Sequence, residues 1–299
     1  MKTKIITVGG EFPGKRLRGK KRYEMLYHYT SFNAFIKIWL SKQFKLSPIT
    51  KTNDIDELNK PAQVINLQQI PLLIAFADIK GSFKQASFTM DYDSYIKGCM
   101  SSMMWGLYAD RKEGVCIEFK LDEIEVPKGC IKNPVVYKDI LKLPHMFELG
   151  REIKTTADVR GFIKEKTKDI FFTKSKCWAG ENEFRIISDQ HEYISVSNAI
   201  TAVYLTSFES EECLMVEKLV GDAIPVKFMH YITAGNNYAI PIVTDTAKYR
   251  VQVRDAKNNP NNRLNPIYQQ GKDYYEAFKH DENASLLKDD YKLNKREGS

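Results

Sequence analysis

Met25-Leu26-Tyr27-His28-Tyr29, running into Thr30-Ser31-Phe32, is the stretch on which the reading of the fold turns. Its aromatic density and its place before a helix signal read as a short strand. Thr30 or Ser31 can cap the helix that follows, because a hydroxyl oxygen accepts from the free N–H groups of a first turn. Phe32, Phe35, Ile36, Trp39 and Leu40 then recur at the i, i+3, i+4, i+7, i+8 spacing of one apolar helix face. A short strand over 44–47 is expected to end at Pro48. Far downstream, Glu181-Asn182-Glu183-Phe184-Arg185-Ile186-Ile187 reads as a second strand. Period-two alternation puts Glu181, Glu183 and Arg185 on one of its faces and Phe184 and Ile186 on the other.

The segments between and after these two extend the pattern. The apolar run 70–77 is expected as a buried strand, and Ser87-Phe88-Thr89 as another. Residues 95–109 read as a helix, Val115–Phe119 as a half-buried strand, Val135–Tyr137 as a further strand, and 156–172 as a helix. Strand-like runs follow at 193–196, 200–205 and 239–243, with a helix over 214–219. Strands interspersed with few helices predict an α+β fold with mixed or antiparallel pairing, not a repeated βαβ array. Neither a G-x-G-x-x-G nor a P-loop pattern occurs.

Composition narrows the classes. Of 299 residues, 43% are hydrophobic and 28% charged, with mean hydropathy −0.41, enough to bury a sizeable core. No apolar run approaches the roughly 20 residues a membrane span needs. Ile5-Ile6-Thr7-Val8 is too short for a secretory signal. The five cysteines form no C-x-x-C pair and lie at no finger spacing from histidine, so no metal site is expected and a cytoplasmic, reduced protein is. The net charge of +7 is not evenly spread. Residues 1–22 hold eight basic residues and one acid, and the rest of the chain carries 37 of each sign. The expected organisation is therefore a basic arm over 1–22, one domain over 23–250, and a polar, partly helical extension over 251–299 with a linker signal at 258–263. Lys15, Arg16, Arg18, Lys20, Lys21 and Arg22 are candidates to contact nucleic-acid phosphates, or form a solvated leader.

Three features could carry chemistry: His28 at a strand end, the Trp105/Tyr108 pair, and the Glu181/Glu183/Arg185 face. Each also has an ordinary structural reading, as a hydrogen-bonded strand histidine, core aromatics and a local ion pair. A like-charged neighbour could raise the pKa of one carboxylate, which suits a general base.

Their order along the chain is more informative. His28-Tyr29-Thr30, the helix after it, the segment ending at Pro48, and Asn182-Glu183-Phe184-Arg185 together resemble ADP-ribosyltransferases of the poly-ADP-ribose polymerase and diphtheria-toxin branch. Leu26–Thr30, Asn53-Asp54-x-x-Glu57, Met104-Trp105-x-x-Tyr108-Ala109, Gly114–Phe119 and Trp178-x-x-Glu181-x-Glu183-Phe184-Arg185 are similar to a bacterial family called domain of unknown function 2971. The resemblance implies an ADP-ribosyltransferase-like split sheet with flanking helices, and NAD as substrate. It implies Glu183 as the carboxylate that stabilises an oxocarbenium-like ribose, with Glu181 orienting the acceptor. It assigns His28 with Thr30 to the other ribose, and Tyr108 to stacking on nicotinamide beside Trp105, with Tyr95 and Phe88 as rivals. The implied role is an intracellular toxin or antiviral effector that modifies a macromolecule. The basic arm, able to track phosphates, favours RNA or DNA over protein as acceptor. An activity of this kind needs restraint, so an antitoxin partner is expected. NAD hydrolysis, or nucleotide binding without catalysis, is the alternative.

Overall fold

The computed structural model describes residues 24–54, 60–64, 67–143, 146–208, 210–234, 238–262 and 269. The basic arm, most of the C-terminal extension, and Glu57 of the Asn-Asp-x-x-Glu motif lie outside them.

The fold is α+β around a mixed sheet. Its strands are β1 (Met25–Thr30), β2 (Ser47–Pro48), β3 (Lys84–Met90), β4 (Val115–Lys120), β5 (Ile131–Pro134), β6 (Glu183–Ser188), β7 (Ile200–Leu205), β8 (Val226–Ala234) and β9 (Tyr238–Asp245). Their order is β9-β8-β7-β4-β1-β3-β6-β5, with β2 pairing to β3. All neighbours run antiparallel except β7 and β8, which are parallel. β1 pairs with β4 along its whole length, from Met25↔Lys120 to Thr30↔Val115. Against β3 its pairing is confined to Leu26↔Met90 and Tyr27↔Thr89. From His28 onward the two central strands part, and the sheet splits there.

One face of the sheet carries the largest core, with Leu26, Phe88, Ile117, Phe119, Phe184 and Ile186 packed under the helices Phe32–Ser41 and Glu211–Val220. The other face carries two separate clusters. One lies under the helices Ile70–Ser82, Thr156–Glu165 and Thr167–Phe171 and includes Phe76, Phe171, Phe172 and Ile187. The second gathers Tyr27, Tyr29, Trp105, Cys116, Tyr204 and Met229 beside the helix Ser102–Tyr108. A cleft between these two clusters meets the split between β1 and β3.

Local chemistry explains most element boundaries. Ser31 Oγ accepts from Ala34 N at 3.3 Å and starts the first helix, which stops where Lys42 turns left-handed at φ 55°. Phe35 is buried and Phe32, Ile36 and Trp39 pack against the core, as the spacing expects, with Ile38 joining them; Leu40 alone leaves that face, at 68% exposed. The segment after it is two short pieces, Gln43–Lys45 against Tyr193–Ser195 and β2 against β3.

Three other expectations are corrected. Ile70–Ala77 belongs to a helix, Ile70–Ser82, not to a strand. A continuous apolar run has no period to separate the two, but Pro71 fits a first helical turn and would break a central ladder. The helix expected over 95–109 is confined to Ser102–Tyr108, where Ser101 Oγ accepts from Met104 N at 3.3 Å. Before it, Gly98 sits so tightly against Tyr27 that a Cβ would meet the ring at 2.2 Å. The helix expected over 156–172 is two helices with a break at Lys166. At the other end, Asp245 caps a helix that runs from Thr246 to Asn258, straight across the expected boundary at 250. Arg250 ties that helix to the body through Glu217 and the Phe208 carbonyl. Among the described residues no helix is long and apolar enough to cross a membrane.

Two glycines test the packing around the split. A Cβ on Gly114 would lie 2.2 Å from the Thr30 carbonyl oxygen, whereas one on Gly106 has nothing within 4 Å. Gly114→Ala should lower thermal stability by about 1–3 kcal/mol. Gly106→Ala, inside a helix, should leave stability unchanged or raise it by up to about 1 kcal/mol. Thermal melts of the two variants check the contrast.

Candidate active site

The cleft has a volume of about 280 Å³. β1 brings His28 to it, β3 brings Ser87, β6 brings Glu183 and Arg185, and the helix Ser102–Tyr108 brings Tyr108. Where the β1–β3 ladder stops, the His28 ring takes over a backbone partner, with Nδ1 3.0 Å from the Ser87 carbonyl oxygen. A carbonyl only accepts, so Nδ1 carries the proton and Nε2 is left as an acceptor. Phe44 lies edge-on to the ring at 4.6 Å. Burial lowers the His28 pKa to about 4 despite that hydrogen bond, so the ring is neutral near pH 7.

The carboxylates form a buried cluster of four charges. Arg185 grips Glu183 bidentately, Nε to Oε1 at 2.6 Å and Nη2 to Oε2 at 2.8 Å. Lys174 Nζ bridges the two acids, at 2.6 Å from Glu181 Oε2 and 3.3 Å from Glu183 Oε2. All four residues are at most 5% exposed. Further partners fix the geometry. Arg185 Nη1 donates to the Phe171 carbonyl at 2.7 Å, the Glu183 N–H donates to Tyr137 Oη at 2.9 Å, and the Ser87 hydroxyl bonds the Glu183 carboxylate. Tyr108 Oη donates to Glu181 Oε1 at 2.5 Å, and the Asn53 side chain bonds the same tyrosine.

The two acids are driven apart in protonation. Burial would raise Glu183, but the charge and hydrogen bonds of Arg185, with Lys174, outweigh it and hold the pKa at about 2. Glu181 lacks the guanidinium, and burial together with the neighbouring Glu183 raises it against the pull of Lys174 and Tyr108. The surroundings thus favour the ionised form of Glu183 and move Glu181 toward its protonated form.

The expected site residues separate in space. His28, Tyr108, Glu181 and Glu183 converge on the cleft, and Phe88 joins them. Thr30 is not among the residues lining it. Trp105 is 2% exposed, donates its indole N–H to the Cys99 carbonyl at 2.8 Å and meets Tyr29 edge-on, so it is a core side chain. Tyr95 sits in a bend, 86% exposed. Lys15 to Arg22 lie outside the described residues. Glu181 does not stand on the strand. It ends a 3₁₀ turn over Lys176–Glu181, and left-handed Asn182, at φ 45°, pins the junction by donating to the Met90 and Asp91 carbonyls at 3.0 Å. Arg185 accordingly pairs with Glu183, its same-face neighbour, while Lys174 serves Glu181. Lys174, Ser87 and Tyr137 carry no motif and were not foreseen. Lys174 reaches the site from a three-residue strand, Thr173–Ser175, whose pairing with Val136–Lys138 is not written in any periodicity.

A second cavity of about 410 Å³ shares Thr52, Gln85 and Arg185 with the cleft as common walls. Among the described residues no group of three or more His, Cys, Asp or Glu side chains could hold a metal ion.

Residues 104–186 match a family model described as Protein of unknown function (DUF2971). No curated protein and no solved structure matches the chain. The matched span holds Tyr108, Lys174, Glu181, Glu183 and Arg185 but not β1 with His28.

Two predictions follow from the cluster. Arg185→Met leaves a buried carboxylate short of its partner and should cost about 3–5 kcal/mol, while adding Glu183→Leu should return much of that loss. Chemical denaturation of the single and double variants checks it. For His28, the unfolded ring protonates near pH 6.5 and the folded ring only near 4, so the unfolded chain binds more protons between those values. Stability contributed by the neutral ring is therefore lost as pH falls through that window. His28→Asn should flatten this part of the stability profile.

Proposed function

We propose that the protein is an NAD-dependent ADP-ribosyltransferase, a cytoplasmic toxin or antiviral effector that transfers ADP-ribose to a macromolecule. One observation carries the reading. A neutral histidine, a tyrosine and a carboxylate held ionised, from positions 28, 108 and 183, line a single cleft at a split in the sheet. The cleft, of about 280 Å³, and the neighbouring cavity, of about 410 Å³, share Thr52, Gln85 and Arg185 as walls, and two adjacent hollows of this size suit a ligand with two heads.

In this reading the ribose–nicotinamide bond breaks with its electron pair going to the pyridinium nitrogen, which becomes neutral nicotinamide. Positive charge on C1′ and the ring oxygen faces Glu183, whose orientation is set before substrate arrives. Tyr108 offers a ring face to nicotinamide, and the His28 Nε2 lone pair accepts from a ribose hydroxyl. An acceptor oxygen or nitrogen bonds C1′ and its proton passes to Glu181, the acid whose pKa is raised. Both Glu183 oxygens are held by Arg185, and this favours one rival, a module that binds the nucleotide and senses it without turnover.

Incubation with NAD labelled in its adenylate half and total cell extract tests the reading. Wild type should label a macromolecule and release nicotinamide, and Glu183→Gln should lower both by about a hundredfold or more. Tyr108→Ala, away from the Arg185 clamp, should impair NAD cleavage with the fold kept. Full activity of Glu183→Gln contradicts the assignment. Nicotinamide release with no labelled macromolecule makes water the acceptor, and NAD binding with no turnover selects the sensing module.

A further inference from the structure

The helix Ser102–Tyr108 has two working sides. Met104 and Tyr108 face the cleft, while Ser102, Trp105 and Gly106 line a third cavity, of about 480 Å³. Its other walls include Met229 and Tyr231 of β8, and Arg111 and Lys112 of the loop between the helix and β4. None of the residues lining it is acidic.

The loop is unusual in its backbone. Asp110, Arg111 and Lys112 are three successive non-glycine residues with φ of 47°, 54° and 73°. Such a backbone is costly for a residue with a Cβ and persists only where its surroundings enforce it. Here they do. Lys112 N donates to the Trp105 carbonyl at 3.0 Å, Glu113 N to the Asp110 carbonyl at 3.1 Å, and Thr206 Oγ1 to the Lys112 carbonyl at 2.8 Å. The turn fixes the backbone of two adjacent cationic residues, Arg111 and Lys112, which line a cavity together with Trp105 and Met229. Arg111 and Lys112 are exposed, and Tyr231 is 47% exposed at the same mouth.

We infer that this cavity binds one nucleotide of a single-stranded nucleic acid. The phosphate lies between Arg111 and Lys112, and the base lies against Tyr231 and Met229. Paired cations recognise the phosphate, and an exposed ring beside them stacks on any base. Arg111, Lys112 and Tyr231 are all exposed, which leaves room for a chain to continue past the bound nucleotide and favours a strand over a free mononucleotide. The binding stands independently of NAD chemistry. As the acceptor's holding site, one helix away from Glu183, it rests on the transferase reading.

Fluorescence anisotropy of the full chain with a labelled single-stranded RNA roughly 12 nucleotides long, in the absence of NAD, tests it. Arg111→Ala with Lys112→Ala should weaken binding about tenfold or more and make it less steeply salt-dependent. Tyr231→Ala should weaken it about fivefold or more. Lys164→Ala, an exposed lysine on the helix Thr156–Glu165, should bind as wild type does. Thermal melts confirm that all three keep the fold, as their exposure predicts. If the Arg111/Lys112 and Tyr231 variants bind like Lys164→Ala, the proposal is overturned. Adenosine monophosphate that binds as tightly as the strand overturns the choice of a strand over a free nucleotide. Because NAD is absent, neither outcome depends on whether the protein cleaves it.

Discussion

The guanidinium of Arg185 on the carboxylate of Glu183 is the interaction on which the rest of the site depends. Both are buried on the same face of β6, where an unpaired charge is costly and a bidentate pair is tolerated. Once that pair is made, Lys174 can bridge to Glu181, and Glu181 can accept from Tyr108. The Ser87 hydroxyl bonds Glu183 while its carbonyl accepts from His28. A chain of contacts thus runs from the outer strand of the cluster to β1 across the split sheet. Residues from five separate parts of the sequence are held in one arrangement by electrostatics, not by apolar packing.

That arrangement is possible because the apolar packing on this face is interrupted. The largest core occupies the opposite side of the sheet without a break, and on the near side two clusters leave a gap between them. The gap coincides with the place where β1 leaves β3. Polar groups that a continuous ladder would satisfy are satisfied there by side chains. The cleft is a consequence of sheet register as much as of side-chain choice.

Much of this was legible in sequence. The strand at Met25, the Ser31 cap and the same-face relation of Glu183 and Arg185 all follow from local chemistry and period. Val115–Phe119, expected as a half-buried strand, is instead buried on both faces at every position but Glu118. His28, Tyr108 and Glu183 were singled out together, and they share a cavity. What failed did so for physical reasons. Ile70–Ser82 has no apolar period, so only Pro71 spoke for a helix. Leu40 shares the spacing of Phe32, Phe35, Ile36 and Trp39, which do meet the core, but it stands in the last turn of the helix and stays exposed. Trp105 shares a motif with Tyr108, but one residue serves the core and the other the cleft. Lys174 carries no sequence signal, because a lone lysine on a three-residue strand meets the two acids only through its tertiary neighbours.

The buried cluster drives its two neighbouring carboxylates toward different protonation regimes. Carbon-13 NMR of the side-chain carboxyls of Glu181 and Glu183, assigned by Glu181→Gln and followed over a pH titration, tests it most directly. Glu183 should stay ionised down to about pH 2, while Glu181 should titrate above the ordinary glutamate value of 4.5. Two carboxyls that titrate together near 4.5 would contradict it.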